Sequence, residues 1–345
     1  MRSAALLLAA AALAFARQLP IRVYTTADGL AGGEIRRVVR DSHGYLWFCT
    51  NEGLSRFDGY RFFNYGTEDG LPNNTIFDIA EGPDGRWWVA THRGLAEFHP
   101  ATAPRFTLHP LAEKKNASVR RLLIDRRGQL WVGAYDGLFR QKGDGFAAVG
   151  FGAPDEYAGS HVTSLLEDRN GALWIGARSG LYRRWPDGRV ERYTTSDGLP
   201  YKNVEALAED KAGRLWVGTR RGLCLVRNSR GGRAVIENAF TARDGLREAG
   251  VWALLEGSDA RLWAATADGL VQILFEPGHS RPRFVAFTRA HGLRNSVCGA
   301  GGGPFRQPLD RYRSRRRQAR PAGLLQLRGS RRPHQPGSRF PVRKP

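Results

Sequence analysis

Apolar and polar positions follow the same order about every 42 residues along this chain. In one copy, the turn Asp69–Asn74 precedes the apolar run Thr75–Ile79, and Asp84-Gly85 precedes a second run, Arg86–Thr91. The dipeptide Arg93-Gly94 then leads into a third run, 95–98, and a weaker fourth run surrounds Phe106. Short apolar runs bounded by Gly, Pro, Asn and Asp are typical of strands joined by tight turns. Each copy therefore predicts four strands.

One tryptophan marks each copy, with spacings of 41 to 47 residues: Trp47, Trp88, Trp131, Trp174, Trp216 and Trp263. The frame around it is Gly-x-Leu-Trp-x-Gly, as in Gly171–Gly176. Four-stranded units at this period are typical of the blades of a β-propeller. The predicted fold is all-β, a propeller over residues 21–300 with six complete blades and a disrupted seventh. The regular recurrence of the tryptophans favours packing between blades over ligand stacking.

The seventh copy begins at Gly292–Val297, and its pattern then gives way to Arg, Pro and Gly. Residues 301–345 hold 13 of the 53 Lys and Arg but only one of the 33 Asp and Glu. A shift of one nucleotide allows Gly303–Arg313 to hide the string DPSGNLWIGTD, with its Trp 46 residues after Trp263. We interpret 301–345 as an out-of-frame remnant of the seventh blade. The alternative is a disordered basic extension.

The segment Ile21–Thr26 resembles the fourth strand seen at Arg192–Thr195. Propellers commonly close by pairing strands from both ends of the chain, which leaves no bare edge. We therefore expect Ile21–Thr26 to complete the last blade in the intact form. As written, the chain lacks the middle strands of that blade, and we expect it to express poorly or to aggregate.

The first sixteen residues predict a signal peptide. Arg2 precedes the apolar run Ala4–Leu13, and Ala14-Phe15-Ala16 has the small-x-small pattern of a cleavage site. The run is too short for a membrane-spanning helix, and no longer apolar run follows. The expected location is periplasmic or otherwise exported; an alanine-rich disordered N-terminus is the alternative.

Composition excludes several classes of partner. The formal net charge is +20, but outside the tail it is spread without a basic block, so no nucleic-acid partner is expected. The three cysteines, Cys49, Cys224 and Cys298, have neither metal-site spacing nor a disulfide framework. No metal or cofactor is expected.

The string from Asp197 through Leu223, together with Gly53–Gly59, resembles the two-component regulator propeller repeat. The resemblance covers residues 23 to about 300. It implies the exported sensor region of a bacterial signalling receptor, in which two seven-bladed propellers typically precede a β-sandwich, a membrane helix and an output domain. Such a receptor would be anchored in the inner membrane and could be dimeric. This sequence stops after one propeller, with no kinase, receiver or helix-turn-helix pattern, so the output domains are interpreted as missing.

The turns between second and third strands vary from copy to copy while the frame stays constant. In a propeller they share one face with the turns between blades, such as Asn73-Asn74 and Tyr201-Lys202. Their mixed side chains could bind a small polar ligand such as an oligosaccharide; the alternative is that they are solvated turn residues. The candidate ligand-binding residues are Asn51, His92, Arg93, Tyr135, Asp136, Arg178, Arg220 and Arg221.

Catalysis has little support in the sequence. The eight histidines are scattered, with no His-x-x-x-His pair and no Gly-x-Ser-x-Gly elbow, so no catalytic residue is assigned. The turn Asn170–Trp174 faintly resembles the Asp box of sialidase-type propellers, which is itself structural. The predicted function is a ligand sensor and not an enzyme. The alternatives are a propeller glycosidase or lyase acting on polysaccharide fragments, and a protein-interaction scaffold.

Overall fold

The computed structural model describes residues 21–111, 117–153, 160–227, 232–246, 250–257, 259–275, 281–291, 293 and 324–327. Six antiparallel four-stranded sheets follow one another along the chain, which confirms the predicted blades. In each blade the order of the strands across the sheet is their order in the chain. The predicted signal peptide, residues 1–16, lies outside the described residues, as does most of the tail.

Strand β1 (Ile21–Tyr24) precedes the first blade. The first three blades comprise β2 (Ile35–Arg40), β3 (Leu46–Thr50), β4 (Leu54–Phe57), β5 (Phe62–Tyr65), β6 (Ile76–Glu81), β7 (Trp87–Thr91), β8 (Gly94–Phe98), β9 (Phe106–His109), β10 (Val119–Ile124), β11 (Leu130–Ala134), β12 (Gly137–Lys142) and β13 (Gly145–Val149). The next three comprise β14 (Val162–Glu167), β15 (Leu173–Ala177), β16 (Gly180–Arg184), β17 (Val190–Tyr193), β18 (Val204–Glu209), β19 (Leu215–Thr219), β20 (Gly222–Arg227), β21 (Val235–Phe240), β22 (Val251–Glu256), β23 (Leu262–Thr266), β24 (Gly269–Leu274) and β25 (Arg283–Phe287). A last strand, β26, spans Leu324–Leu327.

Short 3-10 turns lead from several outer strands into the following segment: Thr26–Asp28, Thr67–Asp69, Thr195–Asp197, Ala242–Asp244 and Arg289–His291. In the third of these, the Asp197 carboxylate accepts the backbone N–H of Thr194 at 2.8 Å, and Gly198 closes the turn at φ 103°. Glycine suits this position because a Cβ atom disfavours positive φ. The leucine that follows, Leu199, is buried. In the recurring Asp-Gly-Leu of the sequence, Asp and Gly therefore form a capped turn and Leu is the buried residue that follows it.

The core lies between blades rather than within them. Trp47, on β3 of the first blade, packs edge-on against Phe98 of the second blade, with ring centroids 5.7 Å apart. In four blades an aspartate of the preceding turn also accepts the indole N–H, as Asp168 does from Trp174 at 2.9 Å; the other three pairs are Asp41–Trp47, Asp125–Trp131 and Asp210–Trp216. A buried indole N–H needs such a partner. These contacts support the packing role of the tryptophans.

Neighbouring blades are also joined by a recurring hydrogen bond from the residue that follows this aspartate position in the turn. The backbone N–H of Ser42, in the turn between the first two strands of its blade, donates to the Glu81 carboxylate of the next blade at 2.9 Å. Equivalent bonds join Arg126 to Glu167, Arg169 to Glu209 and Lys211 to Glu256, at 2.9 to 3.0 Å. Between the second and third blades the corresponding residues are Pro83, which has no N–H, and Ile124. Donor and acceptor are absent together at that boundary.

Strand β1 forms where the sequence predicts a strand, and its Tyr24 packs on the first blade, 5.1 Å from the Phe57 ring centroid. Its backbone partner is β26, in parallel, from Ile21 opposite Leu324 to Tyr24 opposite Leu327. Closure of a seventh blade would instead place β1 antiparallel to a third strand. An edge strand needs partners for its backbone groups, and here β26 supplies them. The middle strands of the seventh blade lie outside the described residues, so that blade and its closure by β1 stay predictions.

Among the described residues, no helix has the length and apolar character needed to cross a membrane. The described part of the chain also holds no group of three His, Cys, Asp or Glu side chains that could bind a metal ion.

Candidate functional site

The first strands of neighbouring blades contact one another, from β2 through β6, β10, β14 and β18 to β22. They therefore form the inner wall of the propeller. In each of the six, the pairing with the second strand shifts by one residue at the same place. Such a β-bulge leaves one residue out of the ladder and re-aims its side chain.

The six residues left out of the ladder, here called the bulge ring, are Arg36, Phe77, Arg120, Thr163, Glu205 and Trp252. Members from successive blades meet: the guanidinium groups of Arg36 and Arg120 lie 5.1 and 4.5 Å from the ring centroid of Phe77. Thr163 differs, because its hydroxyl donates to the backbone carbonyls of Val204 and Gly176. The inner wall thus presents cationic, aromatic and acidic groups at the start of the first strands.

Beside the ring, two aromatic groups stack across a blade boundary. Tyr135, in the turn between β11 and β12, lies parallel to the imidazole of His161, with centroids 3.8 Å apart. Arg120 donates to the Tyr135 hydroxyl at 3.4 Å, and the Arg178 guanidinium lies 6.0 Å from the Tyr135 centroid. We call Arg120, Tyr135, His161 and Arg178 the Arg–Tyr–His cluster.

His161 is only 1% exposed, and neither of its ring nitrogens has a hydrogen-bond partner among the described residues. Burial first, and then the charges of Arg178, Arg120 and Arg220, lower the pKa of His161 to about 3. Burial likewise lowers the pKa of Arg120. The imidazole is therefore neutral near pH 7, and it lies in a region of positive potential.

The neighbouring part of the ring contains one acidic group. Glu205 and Arg220 form an ion pair at 2.6 Å, and the Arg220 guanidinium also lies 5.5 Å from the ring centroid of Trp252. His92 lies 6.3 Å from Phe77 between ring centroids and 3.4 Å from the Ser118 hydroxyl. Hydrogen-bonding and aromatic groups thus both lie at this end of the propeller.

All eight candidate residues lie in or beside the turns between second and third strands, where the sequence placed them. The structure brings Tyr135, Arg178 and Arg220 around His161, and Asp136 follows Tyr135 in the same turn. His92 approaches Ser118, and Arg221 instead lies over Tyr201, 4.9 Å from its ring centroid. The remaining two are exposed Arg93 and half-buried Asn51.

Sequence reasoning missed His161 and the whole bulge ring. The available signal was the position after the Ile or Val that opens each first strand, which changes from Arg to Phe, Thr, Glu or Trp while the preceding residue stays Ile or Val. Strand alternation alone could not show it, because a bulge reverses the face on which the side chains lie.

A separate cavity of about 500 Å³ lies between the third and fourth blades, beside the turns joining first and second strands. Its walls include Trp131, but Arg140 and Arg184 already lie 5.8 and 5.9 Å from that ring centroid. The indole face is thus covered by the chain itself. The end of the propeller that carries the bulge ring, here called the ring end, is the stronger candidate site.

Comparison with known proteins places the repeats in a family. Residues 29–52, 70–93, 156–179 and 198–221 match the model of the two component regulator propeller family. Each match extends from the turn that ends in Asp-Gly, or its equivalent, through the first two strands to the candidate turn. No curated protein matches the chain in sequence.

Solved structures share the fold. The extracellular domain of BT3049 from B. thetaiotaomicron, assigned as a hybrid two component system, aligns with a TM-score of 0.67 at 19% identity, over 79% of this chain and 36% of that one. The corresponding domain of BT4673 from the same organism gives 0.60 at 21% identity, over 78% and 35%. Virginiamycin B lyase from Staphylococcus aureus gives 0.59 at 12% identity, over 78% and 89%. The chain thus spans about a third of the two signalling domains.

At these identities the alignments show the fold alone, whereas the model matches show sequence similarity in four segments of the chain. The chain is therefore a β-propeller with four segments that match the two component regulator propeller repeat.

Proposed function

We propose that this propeller is the exported ligand-sensing part of a two-component-type signalling receptor. Its ligand would be a small polar molecule such as an oligosaccharide, bound at the end formed by the bulge ring and the turns between second and third strands. The observation that carries the proposal is the bulge ring itself, in which every first strand turns one variable side chain out of an otherwise uniform ladder.

The chemistry of this end suits a polar ligand. Binding sites combine apolar surfaces with a few convergent polar groups that fix orientation. Half-buried Trp252 supplies an aromatic face, and the Arg220–Glu205 pair supplies charged donors and acceptors 2.6 Å apart. A saccharide could stack on this face while its hydroxyl groups bond to the guanidinium and carboxylate groups.

The proposed location and output rest on the similarity to signalling receptors. The two signalling proteins above are represented by their extracellular domains, and the first sixteen residues here have the pattern of a signal peptide. We propose a periplasmic or otherwise exported propeller, belonging to a receptor anchored in the inner membrane. Signal output would lie in domains outside this chain.

An enzymatic role is the alternative, since a lyase shares the fold. A glycosidase needs two carboxyl groups free to act as acid and as base or nucleophile. The described carboxylates at the ring end include Glu34 and Glu205, which pair with Arg36 and Arg220 at 3.0 and 2.6 Å. Neither of these two carboxylates is therefore a free acid or base.

The test is a thermal-shift screen of the non-aggregated fraction of the 345-residue chain, isolated by size exclusion, against neutral and acidic oligosaccharides, with chromatography of each ligand after incubation. A ligand that binds only the native state raises the melting temperature. We expect stabilisation without new products, lost in Glu205→Gln and Trp252→Ala and kept in Arg140→Gln, which changes an exposed arginine of the other cavity. Product formation would assign an enzyme instead. No response to any ligand, together with capture of a protein partner, would assign a scaffold.

A further inference from the structure

Three guanidinium groups act on one buried imidazole at the ring end. Arg120 and Arg178 lie 5.6 and 6.0 Å from the ring centroid of Tyr135, which stacks on His161 at 3.8 Å. Arg178, Arg120 and Arg220 all oppose protonation of His161. The third, fourth and fifth blades thus each place one positively charged side chain near His161.

The cluster has less negative charge than positive charge. Glu205 pairs with Arg220 at 2.6 Å. In the described part of the chain, neither Arg120 nor Arg178 forms an ion pair with a carboxylate. Both are half-buried, so their mutual repulsion is less screened than at an open surface. Guanidinium groups without an ion-pair partner suit the binding of oxyanions, because their N–H groups match the geometry of a carboxylate in pairs.

The second observation is His161 itself. Its side chain is 1% exposed, and both of its ring nitrogens lack partners among the described residues. A buried polar group without a hydrogen bond is costly and calls for an explanation. Tyr135 covers one ring face of His161, and the charged groups that act on it are Arg120, Arg178 and Arg220. Glu205 pairs with Arg220 and also acts on Arg120, as does Arg36, and the carboxylate Asp136 follows Tyr135 in its turn.

We propose that the Arg–Tyr–His cluster is the subsite for an oxyanion of the ligand, either a carboxylate or a sulfate group. Arg120 and Arg178 pair with the oxyanion, and the Tyr135–His161 stack holds the two guanidinium groups in place. The inference rests on the proposed function, since it assigns a charge to the ligand of that same site.

Isothermal titration of the same non-aggregated fraction of the 345-residue chain with D-glucuronate and D-glucose, at constant ionic strength, tests the subsite. These probes differ only in whether C6 is a carboxylate or a hydroxymethyl group. We expect glucuronate to bind at least tenfold more tightly than glucose, and Arg178→Gln to remove that preference. Sodium sulfate, titrated alone, shows whether a sulfate group is accepted as well. Arg140→Gln is the matched control and should behave as the unchanged chain.

A second measurement keeps the test independent of the arginine variants. The imidazole resonances of His161, assigned by their loss in His161→Gln, should titrate at higher pH when glucuronate or sulfate is bound, because the anion offsets the surrounding positive charge. Binding of an anion with unchanged His161 titration would place it elsewhere and overturn the subsite.

Different results overturn the oxyanion subsite and the proposed sensor function. Equal binding of glucuronate and glucose, or a preference kept in Arg178→Gln, overturns the oxyanion subsite. If neutral oligosaccharides of the thermal-shift screen then still bind in a Glu205-dependent manner, the sensor proposal stands without it. If neither monosaccharide nor any oligosaccharide binds, both are overturned.

Discussion

The phenol ring of Tyr135 lies almost parallel to the imidazole of His161, with an interplanar angle of 20° and centroids 3.8 Å apart. Tyr135 belongs to the third blade, whereas His161 directly precedes the first strand of the fourth. The stack therefore crosses a blade boundary. Its geometry depends on how two neighbouring blades are held together, so changes in blade packing should reach the candidate site.

His161 should make the protein less stable in mild acid. Its pKa is about 3 in the folded state and about 6.5 when unfolded, so between these values the unfolded chain binds one proton more. Stability from this group is complete above about pH 6.5 and decreases as the pH falls towards 3. We expect the melting temperature to fall more between pH 7 and pH 5 in the unchanged chain than in His161→Gln. His43→Gln, at an exposed position, serves as the control; an equal fall in all three proteins would contradict this.

Asp168 should be essential to the fourth blade. One of its oxygens accepts the backbone N–H groups of Asn170 and Ala172, at 2.9 and 3.0 Å, and the other accepts the indole N–H of Trp174. Removing a buried partner leaves these donors unsatisfied, so Asp168→Ala should cost about 2–4 kcal/mol in urea unfolding.

The matched control for this change is Asp187→Ala. Asp187 caps an exposed turn, where it accepts one backbone N–H, from Arg189, at 2.9 Å. Its loss should cost less than about 1 kcal/mol. Similar costs for the two variants would show that the contacts with Trp174 do not stabilise the blade.

The bond between successive blades should be measurable on its own. Glu81 accepts both the backbone N–H and the hydroxyl of Ser42, at 2.9 and 2.6 Å. We expect Glu81→Ala to lower the free energy of unfolding by about 0.5–1.5 kcal/mol, and the exposed Glu68→Ala to leave it nearly unchanged. Chemical denaturation of both variants checks this. A larger effect of Glu68→Ala would contradict the assignment.

The missing bond between the second and third blades can be installed. Pro83→Ser supplies an N–H and Ile124→Glu supplies an acceptor at the corresponding positions. Each single change is expected to destabilise, but the double variant should recover about 0.5–1 kcal/mol relative to their sum. A double-mutant cycle in urea gives this coupling. Strict additivity would show that the repeated bond contributes nothing there.

The reading-frame interpretation has a direct physical test. We expect the 345-residue chain to elute from size exclusion largely as aggregate, because six blades without the middle strands of a seventh leave strand edges uncovered. A version with one nucleotide restored after codon 297 should elute as a single species and melt cooperatively. Sequencing of the coding DNA across codons 297 to 345 is the companion measurement. A monodisperse, cooperatively melting product of residues 17–345 would contradict the interpretation.

The blades were predictable because the same space between neighbouring sheets has to be filled in each copy of the repeat. Trp174 and its five counterparts fill the space between sheets, and the turn glycines have fixed positions, so both appear in the sequence at a constant period. The candidate site was predictable only in part. Tyr135 and Arg178 lie in turns, whose place in the repeat is visible. Arg120 was missed because the sequence alone does not show whether Arg120 or Arg121 is the residue left out of the ladder in β10.

The bulge in each first strand separates the residues that maintain the fold from one residue that faces the inner wall. Residues in the ladder and the core are constrained by their neighbours, whereas the residue outside the ladder has no cross-strand partner to match. A substitution there alters the inner wall without shifting the strand register, and where the side chain also contacts a neighbouring blade, as Phe77 and Thr163 do, it alters that contact too. Recognition in such a propeller can therefore evolve largely one blade at a time, with six wall positions combining into a large repertoire of ligands on one frame.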